Sequence, residues 1–244
     1  MNLIVVGASA GLGRALADRL AQEKHNLLLI AGDEADLKAI SADLNLRHSV
    51  QVEIAAVRLQ CDQNSIEKVL AKASALGNID GILFPLGYSR TDDDGTLGCD
   101  DINRIVNSNM AGIIALCSHY LPAMLQRGEG LLVFFGSVAS ERGRSSNIVY
   151  AAAKRGLQSF AESLRHKCSA TNINVQYYQL GYLNTAQTFG KKLPFPAAEP
   201  KDAADYIVRN LNKRFGLEYY PWFWRFICLG LRYTPWMVFK KLKF

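Results

Sequence analysis

The chain has 244 residues, about half of them apolar and a fifth charged, which suits one globular α/β domain and excludes a disordered, collagenous or disulfide-stapled chain. Its five cysteines (Cys61, Cys99, Cys117, Cys168, Cys228) are scattered and its four histidines form no ligand pair, so a reduced compartment is expected and a metal site is not. The net charge of +6 lies wholly in residues 211–244, where Lys213, Arg214, Arg225, Arg232, Lys240, Lys241 and Lys243 face a single acid, Glu218; this disfavours nucleic acid as a partner and draws attention to the C-terminus.

Met1 and Asn2 run straight into an apolar strand at 3–6, so no signal peptide is expected. A helix follows at 12–21, a strand at 27–30, a helix at about 34–44, a strand at 54–59, a helix at 65–76 and a strand at 79–84. One long helix is expected at about 101–125, with Pro122 near its end. A strand at 131–135, a helix at 147–168, a strand at 173–180 and a helix at 201–215 complete the series. The strands are nearly continuous Val, Ile, Leu and Phe, the pattern of strands covered on both faces. This alternation predicts an α/β fold: a Rossmann-type doubly wound parallel sheet in a single domain, residues 1–215, with an amphipathic C-terminal helical tail at 216–244. No apolar stretch reaches the roughly 18 residues of a spanning helix, so a cytoplasmic protein, at most peripheral on the membrane face, is expected. Loops at 88–98 and 182–200 follow the carboxyl ends of strands, where open α/β sheets bind ligands.

Gly7-Ala8-Ser9-Ala10-Gly11-Leu12-Gly13 sits directly after the first strand and opens a helix. Glycine lets the backbone turn tightly and approach a pyrophosphate, and the helix N-terminus supplies free N–H groups and partial positive charge. Gly7, Ser9, Gly11, Leu12 and Gly13 are therefore candidate cofactor contacts. At the end of the second strand, where an acid would hold the ribose of NAD, stands Ala31, with Asp33 a residue or two late. The missing acid leans towards NADPH, with NADH left open. Arg14 is either a phosphate partner or a solvated helix residue. Asp62, after the third strand, either holds the adenine edge or caps the next helix.

Tyr150-Ala151-Ala152-Ala153-Lys154 places a phenol and an ammonium four residues apart, on one helix face. A free tyrosine, with a pKa of about 10, is a poor acid–base group at neutral pH, and a nearby cation lowers that value. Ser137 ends the fifth strand, at the sheet edge where the glycine loop also lies, and its hydroxyl suits a substrate carbonyl. Asn109 is an unusual mid-helix residue, read either as the holder of a proton-relay water or as a local kink.

The glycine loop, Asp62, Asn109, Ser137, Tyr150 and Lys154 stand in the order and spacing of the short-chain dehydrogenase/reductases, which residues 3–190 resemble. The resemblance implies that Tyr150 is the general acid in carbonyl reduction. Lys154 would hold the nicotinamide ribose and tune Tyr150, Ser137 would orient the carbonyl, and Asn109 would support the relay. It also implies that Gly87 and Thr185 touch the cofactor, and that the chain forms a homo-oligomer through the helices carrying Asn109 and Tyr150. Three positions depart from the family pattern: Phe84-Pro85-Leu86-Gly87 stands for Asn-Ala-Gly, Leu180-Gly181 for Pro-Gly, and Val6 for a threonine. The run from Ser137 to Tyr150, with the closing segment 232–244, resembles the keto-sugar reductase subunits of decaprenylphosphoryl-ribose 2-epimerases. That likeness implies a polyprenyl-phosphate-linked or nucleotide-linked sugar as substrate and a partner oxidase that makes the ketone.

Arg142, Arg144 and Tyr182 are candidate substrate contacts, since arginine forks suit phosphate oxygens; Arg142 and Arg144 equally suit a surface pairing with Glu141. In the tail, Pro221 and Pro235 mark two short helices. Arg225 and Arg232 share one face, and Trp222, Phe226, Leu229 and Tyr233 form a separate stripe. The pattern fits a membrane surface at 217–244, a substrate lid or a subunit contact. A reductase of small hydrophobic carbonyls and a non-catalytic scaffold are the competing functions, and the intact Ser137, Tyr150 and Lys154 set argues against the scaffold.

Overall fold

A computed structural model of the chain describes residues 1–186, 188–190 and 193–242. Seven parallel strands form one sheet: β1 (Asn2–Val6), β2 (Asn26–Ala31), β3 (Val52–Ala56), β4 (Gly81–Phe84), β5 (Glu129–Ser137), β6 (Asn172–Leu180) and β7 (Leu217–Tyr220). Their order across the sheet is β3-β2-β1-β4-β5-β6-β7. The direction of winding therefore reverses between β1 and β4, the crevice where doubly wound sheets take their ligands. The helices are α1 (Gly11–Gln22), α2 (Glu34–His48), α3 (Gln63–Ala73), α4 (Cys99–Val106), α5 (Gly112–Arg127), α6 (Ile148–Lys167), α7 (Pro200–Arg209), α8 (Trp224–Tyr233) and α9 (Trp236–Phe239).

Successive strand residues point to opposite faces, and both faces are buried. Leu3 and Val5 of β1 join a core with Leu16 and Leu20 of α1, Leu37 of α2 and Ile207 of α7. Ile4 and Val6 join the opposite core with Val69 of α3, Leu116 of α5 and Leu157 of α6. The unbroken apolar strands are the sequence expression of this double cover.

Three expectations are corrected. The long helix is interrupted: α4 and α5 are separated by a π-turn at Asn107–Ala111. Its buried Asn109 amide donates to the Ile105 carbonyl, four residues back, at 2.8 Å, and to the Tyr88 carbonyl at 2.6 Å. A side chain inserted into the helical ladder widens the turn. The third strand ends at Ala56 rather than at residue 59, because its last partner is Ala31 and β2 leaves the sheet after it. The segment taken as a tail from residue 216 begins inside the sheet, since β7 pairs with Tyr177–Leu180 of β6.

Candidate active site

The glycine loop occupies the crevice at the end of β1. Gly7 and Ala8 donate to the Ile30 carbonyl at 2.7 and 3.1 Å, which fixes the turn against β2. Gly7 has φ +91°, and a Cβ there would lie 2.9 Å from the Leu86 Cα. A Cβ on Gly13 would lie 1.9 Å from the Gly7 carbonyl oxygen. Only glycine fits at these two positions. Ala10 caps α1 with no side-chain acceptor, so the first N–H groups of the helix stay open to an anion. The Leu12 side chain is buried in the core, leaving its backbone to the loop. Ser9 is half-buried, and Arg14 is exposed in the first turn of α1. Gly11 meets Thr185, whose Cγ2 lies 3.2 Å from where a Cβ would stand, so the loop after β6 closes over the glycine loop. A cradle that only glycine permits, under open helical donors, fits a pyrophosphate.

Past the end of β2 the chain offers cations rather than an acid. Asp33 caps α2, accepting from the Asp36 N–H at 3.0 Å. Asp62 likewise caps α3, accepting from the Ser65 N–H at 2.8 Å, the second of its two sequence readings. Arg58 packs its Cγ 2.7 Å from where a Cβ on Gly32 would stand. It lines a cavity of about 370 Å³ together with Gln60, Asp62 and Lys68. Nothing in the sequence pattern singled out Arg58: a charged residue just past a strand end is ordinary, and only the early end of β3 brings it beside Gly32.

The candidate reacting groups Ser137, Tyr150 and Lys154 collect near the ends of β4 and β5. Ser137 closes β5; its hydroxyl accepts from the Ala139 N–H at 3.2 Å, and its carbonyl accepts from the buried Gln179 amide at 2.8 Å. Lys154 is 3 % exposed and donates to the Leu86 and Phe135 carbonyls, each at 3.0 Å. Gly87 lies beside both Lys154 and Asn109: a Cβ there would be 3.5 Å from Asn109 Oδ1 and 3.8 Å from Lys154 Nζ. Asn109 Oδ1 accepts from the Tyr88 N–H at 3.2 Å, so the residue braces the loop after β4.

Tyr150 is placed by a residue that the sequence reading passed over. Asp93, 1 % exposed, accepts from the Val149 N–H at 3.0 Å and from the Tyr150 N–H at 2.9 Å. It caps α6 from the loop at 88–98, while Asn147 turns the chain into the helix at φ +56°. Sequence alone offered three adjacent aspartates, and only the folded loop selects the middle one.

Burial pushes the Tyr150 phenol above its usual range, while the Ser137 hydroxyl and the Arg144 guanidinium pull it back down. The sequence reading gave that role to Lys154. Burial brings the Lys154 ammonium itself down to about 7, and its hydrogen bonds run to backbone carbonyls.

The loop after Ser137 divides the three candidate substrate residues. Arg142 donates to the Leu231 carbonyl at 2.7 Å and to the Thr234 carbonyl, and its guanidinium lies 3.9 Å over the Phe239 ring. It holds the C-terminal helices. Arg144 acts on Tyr150 through its charge, and its Nε is buried with no hydrogen-bond partner among the described residues. Tyr182 packs edge-on against Trp224, ring centroids 5.3 Å apart, and Phe195 does so at 5.1 Å. Glu141 pairs with neither loop arginine: its buried carboxylate accepts from Arg232 at 2.8 Å and from the Tyr219 hydroxyl at 3.3 Å.

An open phosphate cradle beside a serine, a tyrosine and a buried lysine defines a dinucleotide-dependent oxidoreductase of the doubly wound α/β class. The chain belongs to the short chain dehydrogenase family, whose profile matches residues 1–192. It acts, with that family, on CH–OH and C=O groups using NAD(P). It is 30% identical over 193 residues to carbonyl reductase family member 4 of Xenopus tropicalis, covering 76% of this chain and 77% of the relative. It is 29% identical over 187 residues to the 3-oxoacyl acyl-carrier-protein reductase FabG of Escherichia coli, covering 76% and 74%. The short-chain dehydrogenase from Sphingobium yanoikuyae in complex with NADPH shares the fold at a TM-score of 0.84, over 99% of this chain and 96% of that one, at 22% identity. L-Sorbose reductase from Gluconobacter frateurii, complexed with NADPH and L-sorbose, does so at 0.80, over 89% and 93%, at 19% identity.

Two predictions follow from this geometry. Asp93→Ala leaves two N–H groups of α6 unpaired; it lowers stability by about 1–2 kcal/mol in chemical denaturation and turnover by about tenfold to a hundredfold. Asp94→Ala, at an exposed neighbour, changes stability by less than about 0.5 kcal/mol. In the reducing direction, kcat/KM falls as the pH rises through about 7, where Lys154 loses its proton and the pocket its positive charge. A pH profile flat from pH ~6 to ~9 contradicts that assignment.

Proposed function

We propose that the protein uses NADPH to reduce a keto group on a substrate with an anionic group near the carbonyl, namely a polyprenyl-phosphate-linked or nucleotide-linked keto sugar in glycan-precursor synthesis. The observation that carries this reading is Arg144, in the loop after Ser137, whose buried Nε has no hydrogen-bond partner among the described residues and whose charge lowers the pKa of the Tyr150 phenol. An arginine so placed suits a phosphate oxygen, and an unpaired buried donor is costly unless a ligand meets it. The aromatic wall of Tyr182, Phe195 and Trp224 beside Gly181 suits a sugar face or the first units of a prenyl chain.

The glycine loop and the N-terminus of α1 hold the pyrophosphate, with Ser9, Gly87 and Thr185 lining the path between the ends of the cofactor. Arg58, with Lys68 lining the same cavity and Arg14 exposed on the first turn of α1, supplies the charge that favours NADPH over NADH. The dinucleotide, when bound, supplies the hydride. Tyr150 gives its phenolic proton to the carbonyl oxygen, and the Ser137 hydroxyl donates to that same oxygen and favours the negative charge that builds there. Lys154 adds positive charge beneath them and Asn109 keeps the loop after β4 in place. A partner oxidase that makes the ketone would complete a two-step epimerisation, and the exposed sides of α5 and α6 are the proposed contact in a homo-oligomer.

A second reading, reduction of oxoacyl or other small hydrophobic carbonyls, draws support from the names of the carbonyl reductase and FabG relatives and from the same aromatic wall. One steady-state assay separates the two. Arg144→Ala raises KM for a phosphorylated keto sugar about tenfold or more and leaves KM for a neutral ketone unchanged, any effect through the Tyr150 phenol falling on kcat of both, whereas Arg58→Ala raises KM for NADPH and spares NADH. Equal changes in KM for charged and neutral ketones in Arg144→Ala overturn the anionic substrate.

A further inference from the structure

Among the described residues, eight of the fourteen exposed large hydrophobic side chains fall between residues 222 and 242. Trp222, in the turn before α8, and Phe226, Leu229 and Tyr233 of α8 recur at helical spacing, and Trp236, Met237 and Val238 of α9, with Leu242 after it, are exposed as well. These side chains do not turn inward as a lid. The other face of α8 already does that: Trp224 and Cys228 are buried with Tyr219. Phe239 is buried beneath the Arg142 guanidinium. The Glu141–Arg232 pair and the two carbonyl contacts of Arg142 then clamp both helices to the body. The segment is thus ordered, anchored on one side and apolar on the other.

The charges around this face select its partner. Arg225, Lys240 and Lys241 are exposed beside it, and Glu218 is the only acid from residue 211 onward. A second copy of the chain docking here face to face would bring like charges together. An anionic bilayer would meet them with opposite charge and would take tryptophan and tyrosine rings at the headgroup level. No helix among the described residues is long and apolar enough to cross a membrane, so the geometry is that of helices lying in the interface.

We infer that the outward face of α8 and α9 docks the protein on an anionic lipid bilayer, with Trp222, Phe226, Tyr233 and Trp236 entering the interface and Arg225, Lys240 and Lys241 meeting lipid phosphates. The docking needs no substrate, because the clasp holds these helices through the chain's own residues.

The test is flotation of the full chain with phosphatidylcholine vesicles, with and without phosphatidylglycerol. The protein should float with the anionic vesicles and lose about tenfold of that binding at high salt. Brominated lipid should quench tryptophan fluorescence in the unaltered protein. Trp222→Ser combined with Phe226→Ser, and separately Lys240→Glu combined with Lys241→Glu, should each weaken partitioning about tenfold or more without lowering the melting temperature. Absence of both flotation and quenching overturns the proposal. So does equal binding to neutral vesicles, or a loss of oligomer mass rather than of lipid binding in the Trp222→Ser, Phe226→Ser protein, which would assign the face to a contact between copies.

Discussion

The ammonium of Lys154 joins three elements at one point. It sits on α6, donates to the carbonyl after β4 and donates to a carbonyl within β5. Gly87 leaves room for it beside Asn109, at the place where the helix between β4 and β5 widens into a π-turn. Burying a cation there is costly, which is why its proton is held so weakly. The contact aligns the ends of β4 and β5 with α6 across a single crevice. The same burial makes the group sensitive near neutral pH, where a ligand or a change of pH shifts its charge.

Two carboxylates extend this arrangement outward. Asp93 reaches from the loop after β4 to cap α6 and so fixes where Tyr150 stands. Glu141, four residues after Ser137, holds Arg232 of α8 and so ties the loop after Ser137 to the C-terminal helices. Helices α8 and α9 are therefore tied to the body. The loop carrying Ser137 and Arg144 rests on α8, and the face that we assign to lipid is one helix width from the aromatic wall at Gly181. For a prenyl-linked substrate this places the membrane-facing surface and the substrate wall on the same helix.

Much of this was legible in the sequence because it depends on local spacing. The glycine loop, the apolar strands and the interval from Ser137 to Tyr150 and Lys154 each carry their meaning within a few residues. Asp93 and Arg58 do not: one is chosen from three like neighbours by a loop, the other by where β3 stops. Arg142 reads as a phosphate fork until the fold spends it on carbonyls about ninety residues away. Asn109 was visibly odd, but the extra residue in its turn follows from the Tyr88 backbone, which no helical pattern encodes. Strand β7 is four residues hidden among aromatics, and its identity comes from β6 beside it.

The central claim is that Tyr150 delivers the proton to a carbonyl held at Ser137. Rapid mixing of the NADPH-loaded enzyme with a phosphorylated 2-keto sugar, followed through the fluorescence of reduced nicotinamide, tests it in a single turnover. The account predicts that Tyr150→Phe slows that turnover by about a hundredfold or more while NADPH still binds. A Tyr150→Phe protein that oxidises NADPH at the unaltered rate would contradict it.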